Sequence, residues 1–233
     1  MPDQINLFQA ASANMGHQSH APLADRMRPQ SLDEVVGQES LIGPGRLLRR
    51  AIESNRLSSI ILWGTSGCGK TTLASVIATV TKRPFQRLNA VTDGLPELRK
   101  LIKKAEEELQ LYNRQTILFI DEVHRFNKAQ QDGLLPAVEN GTIILIGATT
   151  QNPYFSINRA LLSRSLIFEM QPLSKGDIIS LCRRALADRE RGLGQYRVAI
   201  TDEALDHFAN YSQGDARMVL NALELSVLSS PAD

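Results

Sequence analysis

Cysteine is scarce in this chain: Cys68 and Cys182 are the only two in 233 residues. A pair so far apart in sequence makes no disulfide framework. A reducing, cytoplasmic setting is the plain expectation. Long apolar runs are missing too. None approaches membrane-spanning length, and no apolar signal core follows a basic N-terminus. No internal repeat is visible. Neither sign of charge is in excess, with 26 Lys and Arg against 25 Asp and Glu. The chain as a whole is therefore no electrostatic footprint for nucleic acid, and any DNA contact must come from a local basic patch. What is present, 42% hydrophobic and 22% charged residues, suits a packed core in one large domain, or one with a small companion.

One stretch organises the rest: Gly64-Thr65-Ser66-Gly67-Cys68-Gly69-Lys70-Thr71-Thr72. It follows the apolar run Ser59–Trp63 and opens a run with helical spacing, Leu73–Ala78. Strand, glycine-rich turn, Lys-Thr and helix form the context of a phosphate-binding loop. The glycines let successive backbone N–H groups point into one concavity, and the helix start adds free N–H groups and a positive dipole end. In such a loop Lys70 reaches the β- and γ-phosphates of ATP and the Thr71 hydroxyl holds Mg²⁺.

Residues 1–21 read as a flexible tail, poor in apolar residues. Its exception, Gln4-Ile5-Asn6-Leu7-Phe8, resembles the peptide by which bacterial proteins bind the replication sliding clamp; the alternative is a tail that packs on its own domain or does nothing. Pro and Gly punctuate residues 22–39 and argue against a long element there. A helix follows at about 45–55, then a strand at 59–63, the loop, and its helix to Thr81. Pro84–Leu88, ending at Asn89, reads as a strand and Leu95–Tyr112 as a helix. The latter's face of Arg99, Lys100, Lys103 and Lys104 reads as solvated. Thr116–Asp121-Glu122 is a continuous apolar run ending in two acids, a central parallel strand with its acids where ligands bind in open α/β sheets. Asn127–Val138 reads as a helix and Thr142–Ala148 as another buried strand, ending in Thr149-Thr150-Gln151-Asn152-Pro153. Thr150 and Asn152 either touch the γ-phosphate and attacking water or cap a turn. Asn158–Ser163 reads as a short helix and Leu166–Phe168 as a strand. After Pro172 only helices follow, starting at the Ser174/Asp177 cap, at Thr201 and at Gly214-Asp215-Ala216-Arg217. The division is thus residues 22–172, strands and helices alternating, and 173–233, helices alone.

These motifs together resemble AAA+ ATPases of the clamp-loader clade. Three stretches narrow the resemblance: Leu23–Pro29, Asp121–Asp132 and Ile146–Pro153. They are similar to the replication-associated recombination protein A family, bacterial relatives of Werner-helicase-interacting protein. The resemblance implies an α/β P-loop AAA+ domain, a five-stranded parallel sheet in order 5-1-4-3-2, and a small all-α lid. It implies ATP with Mg²⁺ between the two. Arg26, Arg28, Pro29, Val36 and Gly37 would lie near the adenine and ribose, and Gly64–Thr72 would cradle the phosphates. Asp121 would position Mg²⁺ together with Thr71, and Glu122 would polarise the attacking water. Thr150, with Asn152 beside it, would be the first sensor, and Arg217 the second. Arg164 would enter a neighbouring subunit's site in trans, or else be an ordinary surface arginine. Asn89 would hold Glu122 away from water until DNA binds.

Two departures stand out. Thr65-Ser66 replaces the Pro-Pro usual in this family, which loosens the loop without removing Lys70 or Thr71. Cys68 raises the expectation of a thiol with a lowered pKa at a helix start, against that of a small residue that fits. The chain also stops just after the lid, where the family continues into a tetramerisation domain. The functional expectation is a DNA-dependent ATPase at stalled or gapped replication forks. Its partners would be DNA at forks, gaps or single-strand/double-strand junctions, single-strand-binding protein, the sliding clamp and further copies of itself. It would be cytoplasmic and nucleoid-associated, with no membrane. Arg125 and Lys128 would contact phosphates or face solvent. The alternative is an ATP-gated adaptor that hydrolyses little alone. An unrelated P-loop kinase or GTPase is disfavoured by the lid arginine and by the absence of Asn-Lys-x-Asp.

Overall fold

The computed structural model describes residues 21–196 and 198–230. Gln4–Phe8, proposed above as a clamp-binding peptide, lies outside them. Five parallel strands form one sheet: β1 Ile60–Trp63, β2 Phe85–Asn89, β3 Thr116–Asp121, β4 Ile143–Thr149 and β5 Leu166–Glu169. Their spatial order is β2-β3-β4-β1-β5, the order expected, read from the opposite edge. Parallel strands alternate their side chains between two covered faces. In β3, Ile117 and Phe119 join the core that Leu73, Val76 and Ile77 complete, while Leu118 and Ile120 join the core that holds Leu98 and Leu134. That two-faced burial is why β3 and β4 are unbroken apolar runs.

Short segments precede the sheet: α1 Leu23–Arg26, a 3₁₀ turn at Leu32–Glu34, α2 Glu39–Ile42 and α3 Leu47–Glu53. Crossovers supply α4 Lys70–Thr81, after the glycine loop, and α5 Leu95–Tyr112, between β2 and β3. The helix expected over 127–138 is two: α6 Lys128–Asp132 and α7 Leu135–Glu139. Pro136 has no N–H to give the Asp132 carbonyl, so the ladder breaks there. The short helices α1 and α2 were not foreseen, nor was α8 Pro153–Ser156, which precedes α9 Arg159–Leu162. Asn152 and Asn158 cap these two helices by accepting from Tyr154 N and Ala160 N.

After β5 come α10 Lys175–Ala187, α11 Asp202–Ser212 and α12 Ala216–Ser229. Ser174 and Asp177 form a reciprocal capping box at the start of α10, which satisfies two N–H groups that no helical carbonyl reaches. Thr201 and Asp215 cap the other two helices. These helices share a third core, built on Ile178, Leu181, Cys182, Leu205, Val219, Leu220 and Leu223, and it includes Leu23 and Met27 from the start of the described chain. Glu224 fastens that crossing, accepting from Leu23 N at 2.8 Å and Arg26 Nη2 at 2.6 Å. No helix among the described residues is long and apolar enough to cross a membrane.

Candidate active site

The site begins where β1 ends. Gly64, Gly67 and Gly69 have φ of +158°, +73° and +99°, and the values at Gly67 and Gly69 strain any residue with a Cβ. The turn delivers Lys70 to the first position of α4. The residue is buried, and its ammonium donates to Gly64 O at 2.8 Å and Thr65 O at 2.7 Å. Gly69 caps α4 with no side-chain hydrogen bond, and among the described residues no side chain accepts from the N–H groups of that first turn.

A cleft opens over this loop. Ser66, Gly67, Gly69, Lys70, Thr71 and Thr72 line its floor, Asp121, Glu122 and Thr150 one wall, and Arg28 and Arg217 the other side. The carboxylates stand at the carboxyl end of β3, and Thr150 follows the last residue of β4, two neighbouring strands. Asp121 pairs with Arg87 Nη2 at 3.2 Å. Glu122 turns with φ +53°, and its Oε2 is 3.4 Å from Thr150 Oγ1. Arg217 enters from the first turn of α12, where Asp215 accepts from Arg217 N and Met218 N, both at 2.9 Å. That cap rests on the loop itself: Ala216 N donates to Gly67 O at 3.3 Å, and a Cβ at Gly67 would overlap the Asp215 carboxylate.

A second, more apolar recess adjoins the loop. Arg28, Pro29, Val35, Val36, Cys68 and Leu181 are among its walls, and Asp25 holds Arg28 by accepting from Nε at 2.9 Å. Gln38, almost fully buried, donates to Gln171 O at 2.8 Å and Cys68 O at 3.4 Å, tying loop to β5 exit. Sequence reasoning passed over Gln38, whose partners lie 30 and 133 residues away.

Several expected residues lie elsewhere. Arg26 is taken up by Glu224 and lines neither recess. Gly37, at φ +74°, packs against Leu173 and Asp177. Gly64 and Thr65 serve through their carbonyls. Asn152 spends its side chain on the α8 cap and does not reach the cleft. Asn89 accepts from Val91 N at 2.8 Å in its own turn. Arg164 is outside the cleft of its own chain, paired with Glu139 at 2.7 Å and donating to Ala160 O. Burial pushes the Cys68 thiol up, against the opposing pull of Lys70, so the lowered pKa that a helix start suggested is absent.

The donor chemistry suits a nucleotide with Mg²⁺. Among the described residues no cluster of three or more His, Cys, Asp or Glu could cage a metal, but Mg²⁺ uses one or two protein oxygens and completes its shell with phosphates and water. Thr71 and Asp121 offer such oxygens in the cleft. The glycine loop and Lys70 offer the matching cradle for phosphates.

A phosphate loop, two acids at the end of a central parallel strand and an arginine from the last helix meet in one cleft, the pattern of an AAA-type ATPase domain. Residues 60–173 match the model of the ATPase family associated with various cellular activities (AAA). Over the stretch it spans, the chain is similar to replication-associated recombination protein A of several bacteria. It is 48% identical over 206 residues to Replication-associated recombination protein A of Haemophilus influenzae, covering 88% of this chain and 46% of that protein. It is 43% identical over 214 residues to ATPase WRNIP1 of Dictyostelium discoideum, covering 92% of this chain and 24% of that protein. Among solved structures, the Thermotoga maritima RuvB Holliday junction branch migration motor superposes with a TM-score of 0.68 at 28% identity, over 88% of this chain and 68% of that one. The chain spans about half the length of the bacterial relatives it matches.

Proposed function

We propose that this chain is the ATP-hydrolysing part of a DNA-dependent AAA+ ATPase that works at stalled or gapped replication forks. One observation carries the reading: Lys70, Thr71, Asp121, Glu122, Thr150 and Arg217 line a single cleft above a glycine loop. Phosphoryl transfer to water needs positioning and charge neutralisation more than covalent chemistry. On this reading residues 22–172 hold the phosphates, the helices of 173–233 close over them, and the base lies in the recess of Pro29, Val36 and Leu181. Lys70 exchanges its two backbone carbonyls for the β- and γ-phosphates. Bound Mg²⁺, held by Thr71 and through water by Asp121, would neutralise charge on the same phosphates. Glu122 accepts the proton of the attacking water, Thr150 orients that water, and Arg217 couples the lid to the γ-phosphate.

Arg164 acts in trans on a second copy. Its pair with Glu139 is well exposed, and such pairs contribute about 0–1 kcal/mol, so exchanging Glu139 for a neighbour's phosphate costs little. Arg125 and Lys128, both exposed just beyond the acids, serve as DNA phosphate contacts. Names of the relatives support the setting: replication-associated recombination for the bacterial proteins and a Holliday junction motor for the structural neighbour. Single-strand-binding protein, the sliding clamp and the nucleoid belong to the same proposal.

Steady-state ATP hydrolysis with and without gapped DNA tests it, run for wild type, Glu122→Gln and Arg164→Ala. We expect DNA to stimulate the wild type. Glu122→Gln should abolish turnover, and Arg164→Ala should lower it by a factor of about 10³–10⁵. Tight ATP binding with no turnover under any condition would replace the enzyme with an ATP-gated adaptor.

A further inference from the structure

We propose that His124 is the positioning residue of the water-activating glutamate: its Nδ1 holds Glu122 against the end of β4. The inference rests on the assignment of Glu122 proposed above and adds a residue to it. The left-handed turn at Glu122, φ +53°, leads into the 3₁₀ turn Val123–Arg125 and brings the side chains of Glu122 and His124, two residues apart, against each other. His124 Nδ1 lies 3.2 Å from Glu122 Oε2 and 2.9 Å from Thr149 Oγ1. The ring's side chain is only 5% exposed.

Hydrogen-bond accounting favours one tautomer of the ring. Thr149 Oγ1 accepts from Gln151 N at 3.0 Å and lies 3.3 Å from Gln151 O. A hydroxyl has one proton and two lone pairs. With its proton on Gln151 O and one lone pair on Gln151 N, it has one lone pair left for His124. The proton of a neutral ring therefore sits on Nδ1, where it is donated to Thr149 Oγ1 and lies beside Glu122 Oε2, 3.2 Å from the nitrogen. Thr150 Oγ1 approaches the same carboxylate oxygen at 3.4 Å. Among the described residues nothing in the protein donates to Glu122 Oε1, so the two oxygens divide their work. Oε2 is anchored to the β4 corner, and Oε1 is left for water. Burial holds the imidazole below its ordinary pKa and outweighs the carboxylate's opposite pull, which agrees with a neutral ring at pH 7.

The consequence is mechanical. A carboxylate on an exposed turn samples several rotamers, whereas one held through Nδ1 and Thr150 moves with the strand end that carries the first sensor. A misplacement of about 1 Å costs on the order of 10²-fold in rate, so an anchor of this kind acts on turnover rather than on nucleotide affinity.

The test compares His124→Leu, which removes the donor, with His124→Asn, whose amide nitrogen occupies the place of Nδ1 one bond from Cγ. Single-turnover ATP hydrolysis, ADP affinity and the ¹⁵N shifts of the wild-type ring are measured, with Glu122→Gln beside them. We expect His124→Leu to lose about 10–100-fold in turnover with ADP affinity within about twofold, and His124→Asn to recover most of the loss. His124→Leu should add nothing in the Glu122→Gln background, and the ring should report Nδ1–H. An Nε2–H ring, or His124→Leu and His124→Asn losing ADP affinity and turnover together, overturns the inference. Glu122→Gln inactive beside a His124→Leu of wild-type rate overturns it alone. Glu122→Gln as active as wild type overturns the reading of the site itself.

Discussion

Lys70 shows how much a single residue's surroundings contribute. The ammonium of a buried lysine needs partners, and the loop supplies two carbonyls, from Gly64 and Thr65. The motif spacing made Lys70 legible in the sequence, but its holding partners were not, because they are backbone atoms. The two cysteines make the complementary point, since both are buried thiols whose pKa burial raises. In the core of the last three helices Cys182 is pushed from 9.0 up to about 11. A folded-state pKa above the unfolded value means that the unfolded chain loses this proton first. The thiol's contribution is therefore intact below pH 9 and is lost as pH rises toward 11. Two units correspond to about 2–3 kcal/mol. Urea unfolding at pH 8 and pH 11 should show a smaller fall for Cys182→Ala than for wild type; equal falls would remove this thiol from the account.

Among elements, the contact that matters is between the glycine loop and the first turn of α12. The sequence shows a glycine at 67 and a Gly-Asp-Ala-Arg start at 214, but not that Asp215 is what Gly67 faces. A Cβ at Gly67 would both strain φ +73° and overlap the Asp215 carboxylate. Gly67→Ala should therefore cost about 1–3 kcal/mol in a urea titration and weaken ADP binding, because Arg217 is carried by the helix that must move. A wild-type midpoint with wild-type affinity would show that this packing does not couple lid to loop. Caps were the most legible element feature: the Ser174/Asp177 box and Thr201 are local patterns, set within four residues. Asn152 was legible as a polar residue near the strand ends. Which of its two expected uses prevailed depended on α8, a one-turn helix too short to show a periodicity.

At the scale of the molecule, the sheet and its order were readable because β3 and β4 are apolar on both faces, and only a covered parallel sheet explains such runs. The site was readable where chemistry sits at fixed spacing: the loop, Asp121-Glu122, Thr150 and Arg217. It was not readable where long-range packing decides. Arg26 goes to Glu224, 198 residues away, and so leaves the recess to Arg28. His124 meets Thr149 only because β3 and β4 are neighbours. Leu23 and Met27 join the core of the last three helices, so the start of the described chain and its end pack together above the loop. All these contacts bear on one cleft, and the account stands or falls on whether ATP occupies it through Lys70. The direct measurement is an equilibrium titration of Mg·ATP against wild type and Lys70→Ala, with circular dichroism to show that both are folded. We predict saturable binding by wild type and binding at least about 10-fold weaker in Lys70→Ala, the loss of one strong charge-assisted contact. Equal affinities in two folded proteins, or no binding by wild type, would contradict it.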